Sequence, residues 1–281
     1  MGGLWIPIVL VGLGIAILAA RLVTARRKSG YEAICEYWIY STAEKLPDQK
    51  AIMTRLITEN PYLRDGGPCI TTREGLVMSD VRLHMGLALR TKNPHVFRPD
   101  LFEQAAVPSA EVLERLPETT SMIKLRYASV VVLKDLRHLQ FMPHLADAVC
   151  HLVDGLVVYD RMAEELMTSS ELTSRLEANG DAERPDFHVR VIWRHEEEGL
   201  GFAETRGLRK VGRRELRTDP TEADQQVLIT DLLRNMSHAI FASPETDGPY
   251  EYEAYGDKFL MEPRDDDPFA QVAVRRQRQP G

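Results

Sequence analysis

The chain is poor in the residues that staple a fold or hold a metal. Cysteine occurs three times in 281 residues, at 35, 69 and 150. An odd number at wide spacing fits neither a disulfide framework nor a paired metal-ligand pattern. The three are expected to be reduced, buried thiols in a reducing compartment. Catalytic signatures are missing as well: there is no GxSxG elbow, no CxxC and no GxxxxGK[ST] loop. Gly199-Leu200-Gly201 lacks the third glycine and the following helix of a dinucleotide loop. His195 stands beside Glu196, Glu197 and Glu198, but HEEEG does not supply the helical spacing of HExxH. No catalytic residue and no cofactor is expected.

Acidic residues are absent from the first thirty positions, which hold Arg21, Arg26, Arg27 and Lys28. The remainder is therefore more acidic than the net charge of −7 implies. A body that acidic repels phosphate at long range, which argues against nucleic acid as a partner.

The one long apolar run is LWIPIVLVGLGIAILAA at 4–20, extended through Leu22 and Val23. About 20 such residues reach about 30 Å, the hydrocarbon thickness of a bilayer. The basic cluster ARRK at 25–28 follows the run, which is a stop-transfer order rather than that of a cleaved signal peptide. The basic flank stays cytoplasmic. The sequence thus predicts a single-pass protein of the inner (cytoplasmic) membrane, in the bilayer through residues 4–23, with its C-terminal domain in the cytoplasm. Gly12, Ala16 and Ala20 form a small-residue stripe that would let two spans approach.

With 44% hydrophobic and 27% charged residues, the rest should bury an ordinary core. Residues 31–46 and 47–60 read as two helices, the second opening on Pro47. VRLHMGLALR at 81–90 alternates without a slip and predicts a half-buried strand. Residues 91–120 carry four prolines and read as a connector. SMIKLRYASVVVL at 121–133 reads as a strand, 142–154 as a helix and 155–160 as a short strand. That order suggests a parallel crossover. A helix over 169–180, a hairpin of 188–194 with 200–205, a long helix over 224–241 and a strand at 250–255 follow. The tail from Glu262, with Asp265-Asp266-Asp267, reads as disordered. The predicted fold class is α+β, an N-terminal transmembrane helix followed by a mixed β-sheet domain with helices packed on it. Its parts are the anchor (1–30), a helical hairpin with strand and connector (31–120), an α+β domain (121–261) and the tail (262–281).

Two constellations could carry chemistry. His144, Asp147, His151 and Asp154 fall within about 80° of one helix face, with His138 upstream. Imidazole and carboxylate on one face can bind a divalent metal. The competing account is a polar stripe turned to water, since Leu145, Val149, Leu152 and Val153 lie further round. Cys150 sits away from that stripe, as a packed thiol would. The second constellation is GFAETRGLRKVGRRELRT at 201–218, where Arg206, Arg209, Lys210, Arg213 and Arg214 could form an anion or lipid surface. The alternative is that its charges pair with the domain's own glutamates.

The pattern Thr205, Arg206, Gly207, Leu208, Lys210, Gly212, Glu215, Leu216 resembles the T-x-G-L-x-K-x-G-x-x-E-L segment of a bacterial family of domains of unknown function. In that family a helix and a strand ending in tyrosine-aspartate come earlier, as in HLADAVCHLVDGLVVYD here. The likeness covers residues 121–242. It implies no activity, cofactor or catalytic residue. It does imply turning or closely packed glycines at 207 and 212, and a Glu215 that partners a nearby basic group. The function expected from the whole sequence is protein interaction through the α+β domain, with an unidentified protein partner. The alternative is a membrane-tethered, metal-dependent enzyme using His144, Asp147 and His151.

Overall fold

The structure, a computed structural model, describes residues 32–107, 109–244, 249–265 and 269–277. Two separate sheets organise them. The first is built from β1 (Ala33–Ser41), β4 (Leu83–Leu89), β5 (Ser121–Ser129), β6 (Val157–Asp160) and β7 (Glu165–Thr168). Its order is β4-β5-β1-β6-β7, with every neighbour antiparallel. A hairpin of β2 (Leu63–Arg64) and β3 (Gly67–Pro68) stands apart. The second sheet holds β8 (Arg190–His195), β9 (Leu200–Arg206), β10 (Leu216–Thr218), β11 (Thr221–Glu222), β12 (Tyr250–Ala254), β13 (Asp257–Asp265) and β14 (Ala270–Gln277). It runs β11-β9-β10-β14-β13-β12, with β8 also on β9. Only β10 and β14 are parallel. Among the described residues three helices have ten or more residues: α1 (Arg137–Val153), α2 (Ser169–Ala178) and α3 (Gln226–Ala242).

The largest departure from expectation is β1, where a helix was predicted over 31–46. All nine residues of AICEYWIYS are buried. A central strand covered on both faces loses the polar-apolar alternation that marks a strand, and Glu36 then looks like the charged side of a helix. Cys35, Tyr37 and Ile39 face a core shared with Phe141, Leu145 and Val149 of α1. Trp38 and Tyr40 face the opposite way, against Phe97, Phe102 and Val112 of the proline-rich connector. The Tyr40 hydroxyl donates to the Val96 carbonyl at 2.9 Å, which satisfies a fully buried phenol.

Three further expectations change. β5 and β6 do run parallel, but β1 lies between them, antiparallel to both, so they form no adjacent crossover. β5 ends at Ser129, whose hydroxyl donates to the Val131 carbonyl and accepts from its N–H, leaving Val130, Val131 and Val132 exposed. The segment after Glu262 is ordered where described: β13 and β14 pair from Lys258↔Gln277 to Asp265↔Ala270. Met261 and Val272 turn into the second core while Arg264, Arg275 and Arg276 stay at the surface, a charge-rich alternation easily taken for disorder.

The fold class is corrected accordingly to a two-sheet α+β fold. Among the described residues no helix is long and apolar enough to cross a membrane. The expected span at 4–23 lies outside the described residues.

The second core packs α3, through Ile229, Leu232, Leu233, Met236 and Ile240, on Phe259, Met261 and Val272. Leu139 of α1 belongs to it, so α1 serves both cores. The 207–212 loop also links the two halves, together with the Arg206–Glu164 pair and the bonds from Arg190 to the Ala163 and Glu164 carbonyls.

Candidate functional site

The loop after β9 is shaped by its glycines. Gly207 has φ +114°, and a Cβ there would stand 2.0 Å from the His188 carbonyl oxygen. Only glycine fits that approach. Gly212 has φ +75° and closes the turn. The Glu215 carboxylate folds back and accepts from the N–H groups of Gly207 (2.8 Å), Leu208 (3.3 Å) and Arg209 (3.3 Å), and from the Thr205 hydroxyl (2.8 Å). The partner expected for Glu215 was a basic side chain; the structure supplies backbone amides instead. The nest these amides form is thus already filled by the chain's own carboxyl group, which burial pushes above the usual carboxylate range.

This turn drives Lys210 into the seam between the sheets. Its ammonium is fully buried, 2.5 Å from Asp160 Oδ2 at the end of β6 and 3.2 Å from His188 Nδ1. It lies 5.5 Å from the Tyr37 ring centroid. His188 Nε2 donates to the Ala182 carbonyl at 2.5 Å, which leaves Nδ1 bare to accept from the ammonium. Burial, then the charge of Lys210, hold His188 well below its ordinary value, so the ring is neutral. Asp160 also caps the next turn, accepting from Met162 N (3.2 Å) and Ala163 N (3.1 Å). The tyrosine-aspartate strand end and the lysine of the glycine loop are one structural unit.

Beside this junction opens a cleft of about 440 Å³, lined from both halves. β1 supplies Glu36 and Trp38, β5 supplies Arg126, and the β6–β7 turn supplies Arg161, Met162 and Glu164. The second half adds Arg206, Arg209, Glu215 and Phe269. Glu36 is buried, accepting from Trp38 Nε1 at 2.7 Å and Arg161 Nη1 at 3.3 Å, with Arg126 Nε at 3.5 Å. The Arg161 guanidinium covers the Trp38 ring at 5.1 Å. Across the cleft Arg206 pairs with Glu164 (2.9 Å) and with Glu204 (2.7 Å). Glu204 also takes Arg194 (2.9 Å) and Arg217 (2.8 Å). Burial pushes the Glu204 carboxyl up, but the hydrogen bonds from Arg194 and Arg217 and the charges of Arg206 and Arg217 outweigh it. Glu164 itself sits at φ +50°, a rare backbone for a glutamate, held by Arg190 donating to its carbonyl at 2.7 Å.

Four arginines (Arg126, Arg161, Arg206 and Arg209) and three glutamates (Glu36, Glu164 and Glu215) line the cleft, and Arg194 and Arg217 join Arg206 on Glu204 behind it. Aromatic rings lie under three of these guanidinium groups: Trp38 below Arg161, and Phe269 below both Arg206 at 5.3 Å and Arg217 at 3.8 Å. The lining contains no serine, cysteine or histidine. The nearest thiol, Cys35, is buried on the opposite face of β1 and pushed up to about 12 by that burial. A groove of about 590 Å³ between the start of α3 and β13–β14 is larger, but its floor is apolar (Leu228, Phe259, Val272, Val274) and its arginine, Arg276, pairs with Asp257.

The metal candidates do not converge. His144 is buried, its Nε2 donating to the Gly180 carbonyl (3.0 Å) and its Nδ1 facing Cys69 Sγ (3.5 Å). Burial lowers its pKa to about 4. Asp147 is also buried and accepts from the Thr173 hydroxyl at 2.8 Å, while His151 is exposed. His138 is buried, stacked on Tyr127 and bonded to the Lys210 carbonyl at 2.9 Å. The stripe thus divides: His144 and Asp147 pack against the 60–70 segment, residue 180 and α2, while His151 and Asp154 are turned to water. Among the described residues no group of three or more His, Cys, Asp or Glu could hold a metal ion.

The basic stretch divides as well. Lys210 and Arg206 are buried in ion pairs, which removes them from any anion or lipid surface. Arg209 pairs with Glu32 at 2.8 Å, Arg213 donates to the Pro244 carbonyl at 2.6 Å, and Arg214 is exposed. Sequence reasoning missed Glu36, Trp38, Arg126, Arg161, Glu164, His188 and Phe269. Asp160 was within reach through the tyrosine-aspartate strand end.

These features define a two-sheet α+β domain with an arginine- and aromatic-lined cleft at the junction. No family model matches the chain, and no curated protein or solved structure is significantly similar to it.

Proposed function

We propose that this protein works as a binding domain, and that the junction cleft recognises an acidic segment of a protein partner. The observation that carries this reading is the set of four arginines, Arg126, Arg161, Arg206 and Arg209, against three carboxylates in the cleft lining, with Trp38 and Phe269 beside them. Arginine and aromatic residues in partly desolvated pockets contribute most to protein recognition. Guanidinium groups grip carboxylates in a planar fork. The groups best suited to nucleophilic or imidazole chemistry are buried away from the cleft, so binding rather than turnover is what the lining suits.

Selection of displayed random peptides on the purified protein tests this. Selected sequences should be rich in Asp and Glu, and Arg161→Ala should weaken their binding about tenfold, or about 1.4 kcal/mol. Raising salt should weaken it further. Peptides without acidic enrichment, or binding left unchanged by both Arg126→Ala and Arg161→Ala, would remove the proposal.

A further inference from the structure

The first sheet has an edge that its own chain leaves open. Among the described residues no strand pairs with the outer side of β4. Ala128 N donates to the Arg82 carbonyl and Arg90 N donates to the Thr120 carbonyl, both in the β4–β5 register. In an antiparallel ladder, alternate residues point their backbone groups to opposite neighbours. Even-numbered residues of β4 therefore bond to β5, and Leu83, Met85, Leu87 and Leu89 aim their N–H and C=O groups outward. Two of those eight groups are already satisfied by local turns: Leu83 N donates to the Asp80 carbonyl, and the Leu89 carbonyl accepts from Lys92 N and Asn93 N. Six remain, on a strand of which no residue is buried.

We propose that this edge joins a second copy of the chain, the two β4 strands running antiparallel about a two-fold axis at Gly86. In that register Met85 lies opposite Leu87 and Leu83 opposite Leu89. Met85 and Leu87 exchange both of their backbone bonds with their counterparts. The Leu83 carbonyl accepts from the partner's Leu89 N–H. The two groups that this register would otherwise leave to each other, Leu83 N–H and the Leu89 carbonyl, are the two that the flanking turns have taken. All six open groups of each copy are used and none is left over. Directly opposed residues share a face, so Leu83, Met85 and Leu87, which pack on the core beneath α1, meet the same face of the other copy. The strand carries no charge between Arg82 and Arg90, and Arg82 is engaged by Asp80. It has none of the lysines or prolines that protect an edge from pairing. The contact is isologous and closes at two copies. It is independent of the cleft.

Gly86 provides the test, because a Cβ added there meets nothing within 4 Å and its φ is not positive. At the axis two Cα atoms would lie about 4.5 Å apart, within disulfide range. Cys35, Cys69 and Cys150 are buried and unpaired, so a thiol at position 86 is the accessible one. Full-length Gly86→Cys should form a reducible covalent dimer on mild oxidation. Full-length wild type should sediment as a dimer. Gly86→Lys places like charges across the axis and should raise the dimer dissociation constant at least tenfold, while thermal unfolding shows the fold intact. A monomeric wild type, a dimer indifferent to Gly86→Lys, or a folded Gly86→Cys that does not cross-link overturns the proposal. So does cross-linking to a different polypeptide, which would assign the edge to an extended peptide.

Discussion

Removing the ammonium of Lys210 should loosen the joint between the two halves more than it damages either core. Lys210→Met keeps the buried aliphatic stem but leaves Asp160 with only the amides of Met162 and Ala163. Breaking one side of a buried ion pair costs about 3–5 kcal/mol. With a urea slope of about 3 kcal/mol per M, the unfolding midpoint should fall by about 1–1.7 M. Asp160→Asn should cost a similar amount by stranding the lysine beside the neutral His188. The double variant should be much less destabilised than the two singles together, because the second change removes a group the first left unpaired. Trp38 in the first sheet and Trp193 in the second report each half separately once Trp5 and the other tryptophan are replaced by Phe. Their transitions should coincide in the parent and separate in Lys210→Met. Additive single changes, or a loss below about 1 kcal/mol, would refute the view that this pair couples the sheets.

Gly207→Ala should be strongly destabilising, because its Cβ would meet the His188 carbonyl, whereas Gly256→Ala, also at positive φ but in open space, should cost only about 1 kcal/mol; thermal melts compare them. His138 and His144 are both held near 4 by burial. Because each folded pKa lies below the unfolded value, the unfolded state binds more protons, and stability falls as pH drops from about 6.5 to about 4. Replacing either with Gln should reduce that slope by up to about 1.4 kcal/mol per pH unit in urea titrations. His144→Ala should also lower stability by about 1–3 kcal/mol, since the Gly180 carbonyl keeps only its Gln140 donor and the ring's contact with Tyr62 is lost. Zinc should raise the melting temperature of neither the parent nor that variant. A zinc shift abolished by His144→Ala would restore the metal hypothesis.

Strands with one face on a core were legible. β4 alternates Leu83, Met85, Leu87 and Leu89, and β8 and β9 appeared as a hairpin. β1 was not legible, because burial on both faces erases the period and places Glu36 where only a tertiary partner explains it. The tail failed for the opposite reason: its inward residues are few and its outward ones strongly charged. The cleft was invisible because its members lie between positions 36 and 269 and meet through long-range pairing such as Glu36↔Arg126. Lys210 was visible as a basic residue in a glycine-rich stretch. Its burial follows from the turn at Gly207 and from Asp160, fifty positions earlier.

The most direct test of the binding role is site-specific photo-cross-linking in cells from Met162, on the rim of the cleft, with exposed Leu113 as the remote control. The account predicts a discrete protein adduct from Met162 that is lost when Arg126 and Arg161 are both changed to Glu. An adduct no stronger than that from Leu113, or one that survives the charge reversal, would contradict it.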